Sequence, residues 1–379
     1  MGRLVAIDLP ASAAVEALRS IWDDGDAAVV VDRRLPPPAR RRLFERLAPA
    51  ALGDAATGPT GRRRIDVESM PTDDGDAVVV ATSGATGDPK GVVLTHEALA
   101  AHAQAVHARL RVDPTADRWL ACLPLAHVGG LGVVIRSLVS RIPLTVHDRF
   151  DAERVADAAR GTGGCTLVSL VTTALGRTDT QQYRWVVLGG SADTVQRPTN
   201  VVHTYGLTES GGGVVYGGHP LDDVAVRIVA GEIQLRGPML LRAYRDGTDP
   251  KDADGWLPTG DLGSLSSHGM VRVDGRRGEL IVTGGENVWP HVVESALADH
   301  PAVADVAVGA WDDDEWGQRV VAFVVARSGV APPTLGQLRD HTKLTLPAFA
   351  APRELVLVDA VPRTALGKVQ RASLPTGER

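Results

Sequence analysis

Residues Ala77-Val78-Val79-Val80-Ala81-Thr82-Ser83-Gly84-Ala85-Thr86-Gly87-Asp88-Pro89-Lys90-Gly91 decide the reading of this chain. A valine-rich run with the character of a buried strand passes directly into hydroxyls, glycines and one lysine. Glycines let successive backbone N–H groups turn toward an anion with no Cβ in the way, so the turn reads as a phosphate cradle. Thr82, Ser83 and Thr86 add hydroxyl donors, and Lys90 adds a point charge. The Walker pattern is absent, because Pro89 stands where a glycine should precede the lysine and no Ser or Thr follows it.

Outward from this turn, strand-like runs at Ala28 to Val31, Thr166 to Leu170 and Trp185 to Leu188 alternate with helical stretches such as Glu97 to Leu110. That alternation predicts an α/β fold with a largely parallel sheet. From Leu221 the pattern changes to short alternating strands, Val224 to Ile228 and Glu232 to Arg236, which predict a β-rich subdomain. The large N-terminal domain is placed at residues 1–275, and Asp274-Gly275-Arg276-Arg277-Gly278 reads as the turn that leaves it. Residues 276–379 read as a small α+β domain. Its helices are predicted at Pro290 to Ala298 and Thr334 to Leu344, and its strands at Val303 to Val308, Val320 to Val325 and Glu354 to Val358. Pro36-Pro37-Pro38 reads as a stiff turn.

With 379 residues and 44% hydrophobic side chains, the chain has enough length for two cores. A net charge of -6 argues against a nucleic-acid partner, and the Arg40-Arg41-Arg42 and Arg62-Arg63-Arg64 clusters read as solvated faces. The only cysteines, Cys122 and Cys165, sit in apolar contexts and read as core residues rather than metal ligands or a disulfide framework. The N-terminal apolar run is broken by Asp8 and Pro10, and no stretch is long enough to span a bilayer, so the expectation is a cytoplasmic protein without membrane insertion. Oligomeric state stays open.

Four further segments carry chemistry. Thr204-Tyr205-Gly206-Leu207-Thr208-Glu209 follows the apolar pair Val201-Val202, at a strand end where α/β proteins place ligands. Its aromatic face, hydroxyl and carboxylate suit a base, a phosphate and Mg²⁺ beside that phosphate. Thr259-Gly260-Asp261 reads as a turn whose carboxylate suits the two hydroxyls of a ribose, and Arg276 lies at the expected hinge. Pro362-Arg363-Thr364-Ala365-Leu366-Gly367-Lys368 places a lysine on a Gly-containing loop. Taken singly, each of these is weak and reads better as ordinary surface or core.

In this order, together with Leu123-Pro124-Leu125-Ala126-His127, Gly189-Gly190-Ser191 and Gly284-Gly285-Glu286-Asn287, the motifs resemble the adenylate-forming superfamily of acyl-CoA synthetases, peptide adenylation domains and luciferases. The resemblance covers Ala77 to Lys368. It implies the fold of that superfamily, with a small mobile C-terminal domain, and a two-step reaction. A carboxylate attacks the α-phosphate of ATP to give an acyl-adenylate and pyrophosphate; a thiol, here CoA, then displaces AMP. It also implies roles. Thr82, Ser83, Gly84, Thr86, Gly87 and Lys90 hold the terminal phosphates, Glu209 binds Mg²⁺, and Gly189, Gly190, Tyr205, Gly206 and Thr208 surround the nucleotide. Asp261 holds the ribose, Gly284 and Gly285 let the pantetheine arm pass, and Lys368, with Arg276 and His127, serves the reacting centre. Ala85 and Gly278 depart from the usual pattern, where Ser or Thr and a hinge Asp or Lys are common.

The acid is read from less specific positions. His127 and Arg136 lie on a Gly-rich apolar segment, and a guanidinium there suits a second carboxylate on the substrate, unless it snorkels to solvent or pairs within the protein. With the Gly211-Gly212-Gly213-Val214-Val215-Tyr216 run and the Pro220-Leu221-Asp222 turn, this arrangement is similar to the o-succinylbenzoate–CoA ligases of menaquinone biosynthesis in their compact actinobacterial form. That similarity implies an aromatic dicarboxylate, with Arg136 on its distal carboxylate, room for the ring at Gly211 and Gly212, and Ser169, Leu170 and Thr172 as wall residues. The short stretch after Lys368 favours free CoA over a fused carrier domain. Alternatives are another aryl- or acyl-CoA ligase, an adenylation enzyme charging a carrier protein in trans, and a nucleotide-binding regulator without catalysis.

Overall fold

A computed structural model of the chain describes residues 1–83, 89–190, 198–364, 367 and 369–377. It divides into two compact units, one formed by residues 1–259 and 265–272, the other by residues 260–264 and 273–379. Two sheets dominate the first unit. In one, Gly2–Asp8 lies between Ala27–Val30 and Ala51–Asp54, parallel to both, and Asp76–Ser83 adds on parallel to Ala27–Val30. Antiparallel strands finish it on the functional side: Pro89–Thr95 pairs with Asp76–Ser83, and the two-residue strand Ala243–Tyr244 pairs with Pro89–Thr95. Leu4, Ala6, Val29, Val79 and Val93 fill the space between this sheet and helix Pro37–Leu47. The strands are apolar on consecutive residues because helices and chain cover both faces.

The other sheet runs in the order His219–Pro220, Gly212–Tyr216, Val201–Leu207, Trp185–Gly189, Leu167–Val171, Trp119–Ala121, Leu144–Val146. Its strands are parallel from Leu144–Val146 through Val201–Leu207 and antiparallel beyond. Helix His96–Leu110 starts where Thr95 caps the backbone N–H of Ala98 and ends at Arg111 in the left-handed conformation. Helix Val128–Ser140 follows, with His127 at its N-cap position. A four-stranded sheet, Ala225–Val229, Glu232–Arg236, Leu257–Leu265, Val271–Arg276, forms the β-rich part.

In the second unit Val303–Asp313 and Gly317–Ala326 form a long antiparallel hairpin, joined by Ile281–Thr283, Glu286–Val288 and the parallel strand Glu354–Leu357. Helix Pro290–Ala298 packs Val293 and Leu297 against Val306 and Val308.

Several local expectations need correction. Thr259–Gly260–Asp261 is no turn but lies inside strand Leu257–Leu265, with Gly260 at φ +73° bending it. Asp274, Gly275 and Arg276 belong to strand Val271–Arg276, and Gly275 is required there because a Cβ would sit 2.7 Å from the Trp289 ring. Lys90 lies on the returning strand of a hairpin, not in the turn. Pro36 to Pro38 open helix Pro37–Leu47, where a missing N–H costs nothing. Cys122 and Cys165 are buried free thiols, and burial pushes Cys122 up to about 12.

Candidate active site

Lys90 and Gly91 sit on strand Pro89–Thr95, with Thr82 opposite Lys90 on the partner strand. Gly91 has to be glycine, since a Cβ would lie 2.6 Å from Leu47 Cδ2 and 2.8 Å from Arg245 Cβ. The close approach brings Ala243–Tyr244 alongside, and the Lys90 Nζ lies 5.0 Å from the centre of the Tyr244 ring. The Tyr244 hydroxyl donates to Glu209 Oε1 across 3.0 Å. Glu209 itself stands on the short 3₁₀ turn Thr208–Ser210 that ends strand Val201–Leu207, a strand end as expected. Ser210, fully buried, locks that turn by accepting from the Leu207 N–H and donating to the Leu207 and Gly212 carbonyls.

The glycines around this turn differ in kind. At Gly206 a Cβ would stand 1.9 Å from the Gly212 carbonyl oxygen, so two backbones touch there. Gly189 and Gly190 end strand Trp185–Gly189 beside the half-buried Tyr205, and among the described residues nothing lies within 4 Å of a Cβ at either glycine.

Arg136 is 4% exposed, on helix Val128–Ser140. Its Nη2 donates to Ser169 Oγ across 3.2 Å, its guanidinium carbon lies 4.8 Å from the centre of the Trp119 ring, and its Nε has no hydrogen-bond partner among the described residues. Among the described residues no carboxylate pairs with it. Gly132, one turn earlier, makes room: a Cβ there would stand 3.3 Å from Arg136 Nη1 and 3.7 Å from the Gly211 carbonyl. Burial pulls the Arg136 pKa down, while a guanidinium keeps its proton in any case. Around it the ring nitrogens stay neutral. His102, 2% exposed, is driven down to about 3 by burial and then by Arg136, with its Nε2 3.0 Å from the Gly213 carbonyl. His107 falls to about 4 for the same two reasons; its Nε2 accepts from the Trp119 indole across 3.1 Å, and its Nδ1 meets Ser140 Oγ at 3.1 Å. The Tyr216 hydroxyl is buried and has no hydrogen-bond partner among the described residues. The result is a guanidinium held by an aromatic face and a hydroxyl, with its charge uncompensated. Such a pocket suits an anion.

His127 does not share that pocket's contacts. Its Nε2 lies 3.6 Å from Asp32 Oδ2, and Asp32 is already bonded by the Arg34 guanidinium. Burial lowers the His127 pKa despite Asp32, so the ring is a neutral group at the helix start.

In the second unit Asp261 is 5% exposed and its Oδ1 accepts from Arg276 Nε across 2.9 Å. Gly284 and Gly285 join Ile281–Thr283 to Glu286–Val288 at φ +60° and +82°. A Cβ at Gly284 would meet the Trp316 ring at 2.5 Å. Gly84, Ala85, Thr86, Gly87, Ser191 and Lys368 lie outside the described residues.

The described residues contain no cluster of three or more His, Cys, Asp or Glu able to hold a metal by themselves. Glu209 alone fits Mg²⁺ bound through one carboxylate, with ligand oxygens and water completing its shell. Sequence reading missed Tyr244, Trp119, His102 and His107, and quoted Tyr216 without a role of its own. An aromatic or histidine in an apolar run looks like core, and a two-residue strand has no period to detect.

The profile described as AMP-binding enzyme matches residues 4–245, and that of the AMP-binding enzyme C-terminal domain matches residues 292–368. A probable 2-succinylbenzoate–CoA ligase of Mycobacterium tuberculosis (strain CDC 1551 / Oshkosh) is 42% identical over 328 residues, covering 80% of this chain and 84% of its own. Among solved structures, o-succinylbenzoate CoA synthetase (MenE) from Bacillus subtilis in complex with the acyl-adenylate intermediate OSB-AMP superposes at TM-score 0.86 and 27% identity, over 100% of this chain and 89% of that one. The same enzyme in complex with ATP and magnesium ion gives TM-score 0.83 at 27% identity, over 98% of this chain and 89% of that one. With both profiles in order and the fold reproduced over the whole chain, the protein belongs to the AMP-binding enzyme family.

Proposed function

We propose that this chain is an ATP-dependent 2-succinylbenzoate–CoA ligase of menaquinone biosynthesis. The carboxylate of the acid attacks the α-phosphorus of ATP, forming the acyl-adenylate and releasing diphosphate. The CoA thiolate then attacks the acyl carbon, and AMP leaves. The observation that carries the choice of acid is Arg136: a buried guanidinium with no carboxylate partner among the described residues. A fatty-acyl tunnel has no use for such a charge, whereas the distal carboxylate of a dicarboxylic acid neutralises it. Ser169 orients the guanidinium, and the resemblance directs the aromatic ring to Gly211 and Gly212, which lie against the His102 ring. The named relatives act on this acid, which supports the same assignment.

Residue roles follow from the resemblance and from the geometry of each unit. Thr82, Ser83 and Lys90, with Gly84, Thr86 and Gly87, receive the terminal phosphates. Gly189, Gly190, Tyr205, Gly206 and Thr208 border the nucleotide. Glu209 holds Mg²⁺, which when bound offsets phosphate charge. Asp261 accepts the ribose hydroxyls and is oriented by Arg276. His127 lies at the start of the helix that carries Arg136. Lys368 supplies positive charge where the attacking carboxylate and the α-phosphate crowd together, so its effect is greatest in the transition state. The resemblance takes the pantetheine arm past Gly284 and Gly285, of which Gly284 is packed against the Trp316 ring. Residues 1–275 and 276–379 act as the large domain and the small mobile one.

The test is CoA-dependent release of AMP and diphosphate with o-succinylbenzoate, benzoate, a medium-chain fatty acid and no acid. Turnover confined to the dicarboxylate is expected, with Lys368→Ala reducing diphosphate release by about a hundredfold or more. Turnover with a monocarboxylate instead would overturn the substrate assignment.

A further inference from the structure

We infer that Tyr244 is a positioning residue that couples the phosphate-binding lysine to the metal-binding carboxylate, holding Lys90 on its ring face and Glu209 at its hydroxyl. The inference rests on the nucleotide reading above and extends it to a residue outside every motif quoted from the sequence.

Both ends of the contact are specific. The phenol donates to Glu209 Oε1 at 3.0 Å, occupying one lone pair and leaving the rest of the carboxylate for another partner. The Lys90 ammonium is 5.0 Å from the ring centroid, within the range of a cation–π contact. A flexible lysine and a flexible glutamate are therefore referred to one rigid aromatic plate.

The plate is itself held on both flanks. Arg242 forks onto Asp76, Nε to Oδ1 at 2.8 Å and Nη2 to Oδ2 at 2.9 Å, while its Nη1 reaches Asp73 at 2.8 Å. Arg245 donates to the carbonyls of Leu47, Pro71 and Met70 at 3.0, 2.6 and 2.5 Å. The backbone closes the frame: the Arg242 N–H donates to the Val93 carbonyl, the Arg245 N–H to the Gly91 carbonyl, and the Leu241 N–H to the Glu209 carbonyl. Three segments remote in sequence, those of Lys90, Glu209 and Tyr244, thus meet at one side chain. A merely structural tyrosine would not need two ionisable partners, both of which the family resemblance directs at the nucleotide.

The two ends predict separable effects. ATP binding to the full-length protein is measured by calorimetry without acid or CoA, once with excess Mg²⁺ and once with EDTA, alongside thermal unfolding. Tyr244→Phe keeps the ring under Lys90 and removes the hydroxyl from Glu209. Its ratio of Mg²⁺ to EDTA affinities is expected to fall about tenfold, with EDTA affinity within about twofold of wild type. Tyr244→Leu removes both contacts and is expected to weaken EDTA binding as well. In a Glu209→Gln background, Tyr244→Phe is expected to cause no further loss of the ratio. An unchanged ratio in Tyr244→Phe, or equal losses with and without Mg²⁺, would overturn the coupling while leaving the ligase reading intact. Failure of the wild-type protein to bind ATP at all would overturn the nucleotide reading and this inference together.

Discussion

Arg136 donates to the hydroxyl of Ser169 across 3.2 Å, so the charge of a buried guanidinium is oriented by a neutral partner and left uncompensated. A protein rarely leaves a buried charge unpaired unless a ligand completes it. Arg136→Leu is expected to raise KM for the dicarboxylic acid about a hundredfold, with KM for ATP changed less than about threefold. Ser169→Ala, which loosens the guanidinium without removing it, should give about a fivefold rise. Steady-state kinetics with each substrate varied in turn decides this, and an unaltered KM for the acid in Arg136→Leu would remove the contact.

The neutral histidines behind that guanidinium contribute to acid sensitivity. His102 and His107 titrate near 3 and 4 in the folded protein and near 6.5 when unfolded. Below 6.5 the unfolded chain binds protons that the folded one does not, so stability falls as pH drops from about 6.5 toward 4. Each histidine costs about 1.4 kcal/mol per pH unit across that window. Equilibrium urea unfolding between pH 7.5 and 5 should show this early decline, and His102→Asn should remove part of it. A stability curve flat down to the carboxylate range would contradict the buried neutral state.

Two of the glycines proposed to border the nucleotide are expected to separate stability from binding. Gly206→Ala places a methyl 1.9 Å from the Gly212 carbonyl oxygen, which belongs to paired backbone and has no rotamer to escape into. A loss of about 2 kcal/mol or more is expected, read as a lowered Tm. Gly189→Ala meets nothing within 4 Å among the described residues. It should leave Tm nearly unchanged and raise KM for ATP several-fold. Equal behaviour of the two variants would mean that the space beside Gly189 is not a ligand site.

The motif-bearing part of this architecture was legible because its physics is local. A valine run before a Gly-rich turn, Tyr205 to Glu209 at a strand end and Arg136 in an apolar helix each announce themselves within a dozen residues. Boundaries were less legible where polar residues continue a strand. Val303–Asp313 and Gly317–Ala326 run well beyond their apolar centres because cross-strand pairing, as at Trp311 with Arg319, carries the ladder outward. Asp274 to Arg276 resembles a turn by composition, yet its glycine serves the Trp289 ring that packs against it. The side chains around Arg136 were hidden for another reason. Trp119, His102 and Tyr216 are buried like core residues, and only the tertiary arrangement reveals that they lie around one charge.

Strand Ala243–Tyr244 pairs with Pro89–Thr95 across about 150 residues of intervening chain. Loop closure over that distance is entropically costly and comes late in folding. During synthesis the hairpin that carries Lys90 therefore emerges long before the strand that braces it, and Lys90 and Glu209 have no common support until residue 245 has left the ribosome. Nucleotide affinity should accordingly arise as one late event in the maturation of the first unit, giving a nascent chain no means of capturing ATP with a half-built site.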